Sequence, residues 1–349
     1  MRILYDGWPL IYQPDGAAAL HLSTLLTLTP ESIEPVLALP TESSPEGFLE
    51  GIQLAHQASQ DLRAWQQRSL PALAAAHQAQ AIHSTQSAAS LFGRVPTIIS
   101  PSGYGALEPS QAGVVGRLGQ ALGRGGLARA QVLYPADMDA PRLPGELLPI
   151  APIANPAFSG THAHAPEELE LPQSYLLYHG PSHPGTLLQL LESWTWAATS
   201  IGEMYPLVLL GLSEAAKRFV EQKAPEFHVE EYVHLLPRVH PAHLAAIYQG
   251  ASAVLHPAPL SLWGGAARHA LAADLPLAAY ADPAVERLVG AAAYLVEPGD
   301  LRAFGAATIT VVVDDKVRAD LISAAHKLRS QWDAAQFKSD LGEIYAQLA

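Results

Sequence analysis

Residues 246–300 read AIYQGASAVLHPAPLSLWGGAARHALAADLPLAAYADPAVERLVGAAAYLVEPGD, and this stretch decides the fold class. Its short apolar runs predict strands at residues 253–255, 277–279 and 293–296, with an Ala-rich helix between the first two. Strands that alternate with helices of this length are typical of βαβ units. Because such units form parallel sheets covered by helices on both faces, the stretch predicts an α/β domain.

Two glycines, Gly264 and Gly265, stand between the first of these strands and the helix predicted at residues 266–273. In an open parallel sheet, ligands bind at the carboxyl ends of the strands. The unpaired N–H groups at the start of a helix also favour an anion there. The glycine pair therefore marks a candidate binding site.

The rest of the chain shows the same alternation of short strands and helices. Apolar runs predict further strands at residues 2–5, 36–39, 81–84, 96–100, 132–134, 174–178, 207–210 and 233–236. Helical spacing is found at residues 17–28, 57–79, 111–130, 187–199, 215–223, 301–307 and 316–330, and Pro71 is expected to break the second of these segments. Two doubly wound α/β domains are therefore expected.

The stretch at residues 246–300 resembles the donor-binding half of retaining GT-B glycosyltransferases of the family 4 type. Their pattern is F-P-S-x-x-E-G-F-G-x-x-x-x-E-A-x-A-x-G-x-P-V, followed by a strand that ends in V-x-P-G-D. Ser261 stands at the first glutamate position and His269 at the second. The matching positions are His256-Pro257, Trp263-Gly264, Ala270, Ala272, Pro276 and Pro298-Gly299-Asp300. The resemblance implies two Rossmann-like domains facing across a cleft.

The basic residues that hold the donor diphosphate in this family are replaced. Relatives read G-R-x-x-x-x-K-N after the first strand of the second domain, whereas here Pro181 follows Gly180 and no lysine stands at Gly185 or Thr186. Loss of two charge-assisted hydrogen bonds costs about 3 to 6 kcal/mol, at about 1.5 to 3 kcal/mol each. His183 could replace part of this charge only when protonated, and an ordinary imidazole is mostly neutral at pH 7.

The resemblance also supplies the candidate site residues. The candidate catalytic residues, which would contact the transferred sugar or the donor ribose, are Ser102, Ser261 and His269. The candidate donor-binding residues are Gly16, Gly180, His183, Arg238, Val239, Gly264 and Gly265. Two alternatives involve no ligand: a Gly-rich turn at residues 101–105, and a histidine at 269 that only packs between domains.

A Pro-rich stretch without periodicity, residues 147–172, separates the two halves of the chain. Within it, Ile153-Ala154-Asn155-Pro156 resembles the segment that crosses between domains in the family, and the tail from Trp332 to Tyr345 resembles the family's terminal helix. We predict an acceptor-side Rossmann-like domain at residues 1–156, a linker at 157–172 and a donor-nucleotide domain at 173–330. Residues 331–349 are expected to form a helix that crosses back to the first domain.

Composition limits the partners and the compartment. The chain has 349 residues, 15% of them charged, and a net charge of -13, which makes nucleic acid and anionic membrane surfaces poor partners. No apolar run of about 18 residues and no basic leader before an apolar segment is found, so a cytoplasmic protein is expected. The apolar content of 49% leaves a homodimer or another protein partner open.

A metal site and a catalytic serine nucleophile are less well supported by the sequence. The candidate metal ligands are His162, His164, His228, His234, His240 and His243, but no carboxylate is placed with them. Gly-x-Ser-x-Gly is absent, and Ser102 has no identifiable base. We therefore expect no metal site and no cofactor.

Two functions remain from the sequence. The first is a divergent family 4-type glycosyltransferase, which would use a UDP- or GDP-sugar as donor with weakened or lost catalysis. The alternative is a pseudoenzyme, a non-catalytic GT-B scaffold that binds a protein partner or subunit. The fold-determining Gly, Pro and Trp positions fit both.

Overall fold

The computed structural model of the protein describes residues 1–42, 51–91, 93–102, 125–160 and 165–348. Most of the helix predicted at residues 111–130, the glycine-rich turn after Ser102, and the histidines at 162 and 164 lie outside these residues. The chain divides into two compact units. The first contains Met1–Ile153, Ser261–Trp263 and Asp333–Ala349, and the second contains Ala154–Leu260 and Gly264–Trp332.

The first unit is built on a 7-stranded parallel sheet with the order β3-β2-β1-β4-β5-β6-β7. The strands are β1 (Arg2–Asp6), β2 (Glu34–Leu39), β3 (Gln53–His56), β4 (Ala81–Ser84), β5 (Thr97–Ile99), β6 (Gln131–Pro135) and β7 (Glu146–Ile150). Its first helices are α1 (Trp8–Tyr12), α2 (Ala17–Thr27), α3 (Leu62–Ala64) and α4 (Leu70–Ala76), with a π-helical turn at Trp65–Ser69. The indole of Trp65 is buried against side chains from β1, β2 and β4.

The second unit is built on a 6-stranded parallel sheet with the order β10-β9-β8-β11-β12-β13. The strands are β8 (Leu176–His179), β9 (Leu207–Leu210), β10 (Val233–Leu235), β11 (Ala253–His256), β12 (Leu277–Tyr280) and β13 (Tyr294–Val296). The helices are α5 (Pro184–Ile201), α6 (Glu214–Lys223), α7 (Pro241–Gly250), α8 (Gly265–Ala272), α9 (Pro283–Val289), α10 (Leu301–Val313) and α11 (Asp315–Arg329). Tyr178, Trp194 and Phe304 belong to one buried core.

Helices α5 and α10 pack closely because Gly305 has no side chain. A Cβ atom at Gly305 would lie 2.5 Å from the Cβ of Trp196. This contact fixes α10 on α5 on one face of the second sheet, and it leaves the carboxyl ends of the strands to other segments.

The C-terminal helix α12 (Ala334–Ala346) belongs to the first unit. Asp333 caps its N-terminus, since one carboxylate oxygen accepts the N–H of Ala335 at 2.8 Å and of Gln336 at 3.2 Å. Phe337, Leu341 and Tyr345 form its buried face.

The predicted fold class, two doubly wound α/β domains, is confirmed. The strands predicted in residues 246–300 correspond to β11, β12 and β13 within one or two residues. Two strands were not predicted, because β3 is a largely polar edge strand and β7 contains Pro149. The helix predicted at residues 57–79 is wrong at its start, where residues 57–61 are not helical. No helix in the described part of the chain combines the length and apolarity that crossing a bilayer requires.

Candidate functional site

The carboxyl ends of β8 and β11 meet at the point where the strand order of the second sheet reverses. From β8 the chain continues to β9 and β10 on one side, and from β11 to β12 and β13 on the other. His179 is the last residue of β8 and His256 is the last residue of β11. In open parallel sheets this reversal leaves a crevice at the strand ends where ligands bind.

Three imidazoles cluster at this edge, those of His179, His256 and His269. They are 8%, 3% and 5% exposed, respectively. His179 lies close enough to lower the pKa of both other histidines. The Nδ1 atom of His179 shares a hydrogen bond of 2.9 Å with the hydroxyl of Tyr248, and the ring of Phe158 lies 4.3 Å from that of His269. The sequence brought only His269 into the candidate site.

Burial keeps two of these rings uncharged. It lowers the pKa of His256 to about 4, and the carboxylate of Asp282 opposes this shift. It lowers the pKa of His269 to about 3, against a hydrogen bond to the carbonyl of Gly265. Both side chains are therefore neutral at pH 7.

The hydrogen bond of His269 also fixes its tautomer. Its Nδ1 atom lies 2.6 Å from the carbonyl oxygen of Gly265, and because a carbonyl only accepts, Nδ1 carries the proton. In the neutral ring Nε2 is then a bare acceptor. This atom is buried and finds no hydrogen-bond partner in the described part of the chain, and the same holds for both ring nitrogens of His256.

Helix α8 begins beside this cluster without a side-chain cap. Gly264 has φ +77° and Gly265 has φ +44°, and both conformations favour glycine. A Cβ atom at Gly264 would lie 2.9 Å from the Cβ and Nε atoms of Arg268, so the arginine side chain folds along the first turn. Its guanidinium lies over the ring of Trp332 at 5.1 Å. Arg268 is fully buried, and no sequence signal pointed to it.

The other candidate donor-binding residues of the second unit have structural roles. A side chain at Gly180 would collide with the ring of Tyr178, whose hydroxyl donates to the carbonyl of Pro181 at 2.8 Å. His183 caps α5, since its Nδ1 atom accepts the N–H of Gly185 at 3.2 Å and therefore carries no proton in this geometry. Arg238 is exposed and Val239 is buried in the segment before α7.

The candidates Gly16, Ser102 and Ser261 lie in the first unit. Gly16 is the N-cap of α2 and adopts an ordinary extended conformation. The carbonyl of Ser102 accepts the N–H of Leu262 at 2.8 Å, so the structure brings Ser102 next to the segment that contains Ser261. The hydroxyl of Ser261 is buried without a hydrogen-bond partner among the described residues.

A second group of buried polar residues lies at the carboxyl ends of strands β1, β4 and β5 in the first unit. The carboxylate of Asp6 accepts from the indole of Trp65 at 2.8 Å and from the hydroxyl of Ser84 at 2.7 Å, and burial raises its pKa. The ring of His83 bridges the hydroxyls of Ser100 at 2.8 Å and Tyr345 at 2.6 Å. These groups have partners within the unit, which indicates a structural role.

Metal binding has no support in the described residues. No group of three or more His, Asp or Glu side chains there is arranged to hold a metal ion. His240 and His243, which were considered as ligands, have ring centroids 6.2 Å apart.

Comparison with known proteins agrees with the sequence resemblance. Residues 188–328 match the family described as Glycosyl transferases group 1. The resemblance to these enzymes is confirmed. The group 1 segment runs from α5 into α11 and so includes the strand ends of β11 and the start of α8. No curated protein matched the sequence.

Solved structures of glycosyltransferases share the fold over the whole chain. Sucrose-phosphate synthase from Thermosynechococcus elongatus superimposes with a TM-score of 0.71 at 14% identity, over 100% of this chain and 99% of that one. HepE from Anabaena, solved with UDP and glucose, gives a TM-score of 0.67 at 16% identity, over 99% of both chains. WaaG, a glycosyltransferase involved in lipopolysaccharide biosynthesis, gives 0.67 at 13% identity, over 99% of both chains. The chain therefore has the GT-B fold.

Proposed function

We propose that the protein is a divergent, retaining family 4-type glycosyltransferase that transfers a sugar from a nucleotide-sugar donor with weakened catalysis. The match of residues 188–328 to group 1 glycosyl transferases supports this proposal. HepE, which shares the fold, has been solved with UDP-glucose. The observation that carries the proposal is the buried, unpartnered Nε2 atom of His269, which stands at the second glutamate position of the family pattern.

In the proposed reaction the second unit holds the donor. Nε2 of His269 accepts a hydrogen bond from a donor hydroxyl, as a carboxylate would at that position. The free N–H groups where α8 begins at Gly264 and Gly265 face the diphosphate. The bond between the anomeric carbon and the diphosphate oxygen breaks, the oxygen of an acceptor hydroxyl forms a bond to the anomeric carbon, and the proton of that hydroxyl passes to the departing nucleoside diphosphate. The reaction uses no cofactor besides the donor.

Ser102 and Ser261, in the first unit, are proposed contacts to a sugar or acceptor hydroxyl, and the hydroxyl of Ser261, which has no partner among the described residues, supports this role. Neither side chain carries charge, so neither can replace the basic residues that hold the diphosphate in the family. Slow turnover is the expected consequence.

A donor-release assay tests the proposal. The protein is incubated with UDP-glucose, UDP-galactose and GDP-mannose, and nucleotide release is followed against the variants His269→Leu and His234→Leu. His234 is exposed on β10 in the same unit and serves as the matched control. We expect slow release by the wild type and by His234→Leu, and at least about a tenfold loss in His269→Leu, since one hydrogen bond contributes about 1.4 kcal/mol.

The alternative function is a non-catalytic scaffold that binds a protein partner. The replacement of the diphosphate-holding residues by Pro181 and by Gly185 or Thr186 favours it. Release by the wild type that is no faster than in a protein-free control, with every donor, would refute the glycosyltransferase and support the scaffold. Equal release by the wild type and His269→Leu would instead reject the role of His269.

A further inference from the structure

We propose that the histidine cluster of the second unit binds uncharged hydroxyls of a sugar ring and that phosphate groups add little to the affinity. The hydroxyls bond to His256 and His269. This inference rests on the proposed function, which places the donor on the second unit. It adds which part of the donor the protein recognises.

His269 selects a proton donor. Its Nδ1–H is used by the carbonyl of Gly265, so its Nε2 atom offers a lone pair and no proton. A sugar hydroxyl donates to such an atom, whereas an ionised phosphate oxygen has no proton to give and meets an unfavourable contact. A single lone pair therefore discriminates hydroxyl from phosphate.

His256 provides the complementary pair of functions. Its ring is neutral and both nitrogens lack a partner among the described residues, so it offers one N–H donor and one acceptor. A hydroxyl both donates and accepts, so a sugar hydroxyl can bond to either nitrogen of this ring. The side chain of His256 is only 3% exposed, so bulk water supplies few hydrogen bonds to its ring. A ligand hydroxyl would supply them.

The charges around the cluster fit an uncharged ligand. The carboxylate of Asp282, which caps α9, acts on His256 and repels an anion. The positive charge of Arg268 acts on His269, but its guanidinium lies over the indole of Trp332. The third ring, His179, is hydrogen-bonded to Tyr248.

Calorimetry on the full chain tests the preference with four probes: uridine, UDP, sodium pyrophosphate and methyl α-D-glucopyranoside. We expect measurable binding of uridine or of the glucoside, and the one that binds identifies whether the recognised ring is the ribose or the transferred sugar. UDP should bind no more than about tenfold tighter than uridine, and pyrophosphate should not compete. Two intact phosphate-holding cations would instead give UDP an advantage of about a hundredfold to ten-thousandfold.

Variants connect the binding to the two rings. His256→Leu and His269→Leu should each weaken the neutral probe by about tenfold or more, while the exposed His234→Leu should bind as the wild type does. His269→Gln restores an acceptor and should recover part of the affinity. The thermal unfolding midpoints of both leucine variants should equal or exceed that of the wild type, because each variant removes a buried polar atom that lacks a partner.

Three results would overturn the proposal: a UDP advantage of a hundredfold or more over uridine, competition by pyrophosphate, or no binding of either neutral probe. A variant that unfolds at lower temperature would assign the histidine a structural role. The proposed function fails separately. Donor turnover with a large UDP advantage keeps the enzyme and rejects this inference, whereas neutral-probe binding without turnover keeps the inference and rejects the enzyme.

Discussion

The substitution Tyr345→Phe removes a single oxygen from the buried face of α12 and tests how the C-terminal helix is held in the first unit. The hydroxyl of Tyr345 lies 2.9 Å from the hydroxyl of Tyr5 and 2.6 Å from Nδ1 of His83. Nε2 of His83 lies 2.8 Å from the hydroxyl of Ser100. The phenol therefore links the helix to strands β1 and β4 and, through His83, to the residue after β5.

The cost of the substitution follows from what each partner retains. The Tyr5 hydroxyl keeps a long contact of 3.4 Å to Thr29, so its loss is one hydrogen bond, worth about 0.5 to 1.5 kcal/mol. Nδ1 of His83 has no second partner among the described residues and is left buried and unpaired, which costs about 1 to 3 kcal/mol. Because the phenyl ring still fills the site, no cavity term is added. We expect a total loss of about 1.5 to 4.5 kcal/mol.

Native-state hydrogen exchange is the appropriate assay, because the two units can unfold in separate steps and a global midpoint would mix them. The opening free energy is read from amides in β1 and α12. Tyr134→Phe is the matched control, since Tyr134 is half-buried in the same unit and no hydrogen bond of its hydroxyl is found among the described residues. In a double-mutant cycle, His83→Leu should reduce the cost of Tyr345→Phe. A change below about 0.5 kcal/mol in Tyr345→Phe would refute the reasoning.

Four further predictions concern single residues. Gly264→Ala should destabilise the second unit by about 1 to 3 kcal/mol more than Gly290→Ala in denaturant unfolding, because both have positive φ but only the first has atoms within 4 Å of the added methyl group. Asp6→Ala should cost about 3 kcal/mol by orphaning an indole N–H and a serine hydroxyl, whereas Asp6→Asn, which still accepts, should cost less on the same curve. Burial lowers the pKa of His83 to about 3. Its neutral ring therefore contributes fully to the free energy of unfolding above about pH 6.5, and this contribution is lost as the pH falls toward 3, at up to about 1.4 kcal/mol per pH unit. His83→Leu should flatten that part of an acid-unfolding curve. His256→Leu should gain up to about 1 to 3 kcal/mol by thermal unfolding, and a loss would contradict the absence of a partner for its ring among the described residues.

The sequence predicted best where local pattern alone decides the structure. Strands β11 and β12 are short, apolar and buried on both faces, so their position follows from composition and turn residues. The start of α8 at Gly264 follows from the glycine pair. Strands β3 and β7 were missed because edge strands need few apolar residues, and β7 contains a proline that reads as a loop.

The candidate site was harder to predict because it depends on which strands are neighbours. His179 and His256 come together only because β11 pairs with β8, and no local pattern encodes that pairing. The burial of Arg268 was also unpredictable, since an arginine in a helix is usually exposed and its contact with Trp332 joins α8 to the segment between α11 and α12. In the first unit, Tyr345 fitted the resemblance to a terminal helix, but its partner His83 is visible only in the folded chain.

The balance between an enzyme and a scaffold can be argued from the polar atoms that remain. A binding site that had lost its purpose would be expected to fill with apolar side chains, because each buried polar atom without a partner costs about 1 to 3 kcal/mol. The second unit instead keeps three such ring nitrogens, two on His256 at the end of β11 and one on His269 within α8. No hydrogen bond from the described residues offsets their cost. A ligand that bonds to them does offset it. If Pro181 and either Gly185 or Thr186 stand where the family has basic residues, as the resemblance implies, their replacement is better explained by a change in what is recognised than by the loss of binding.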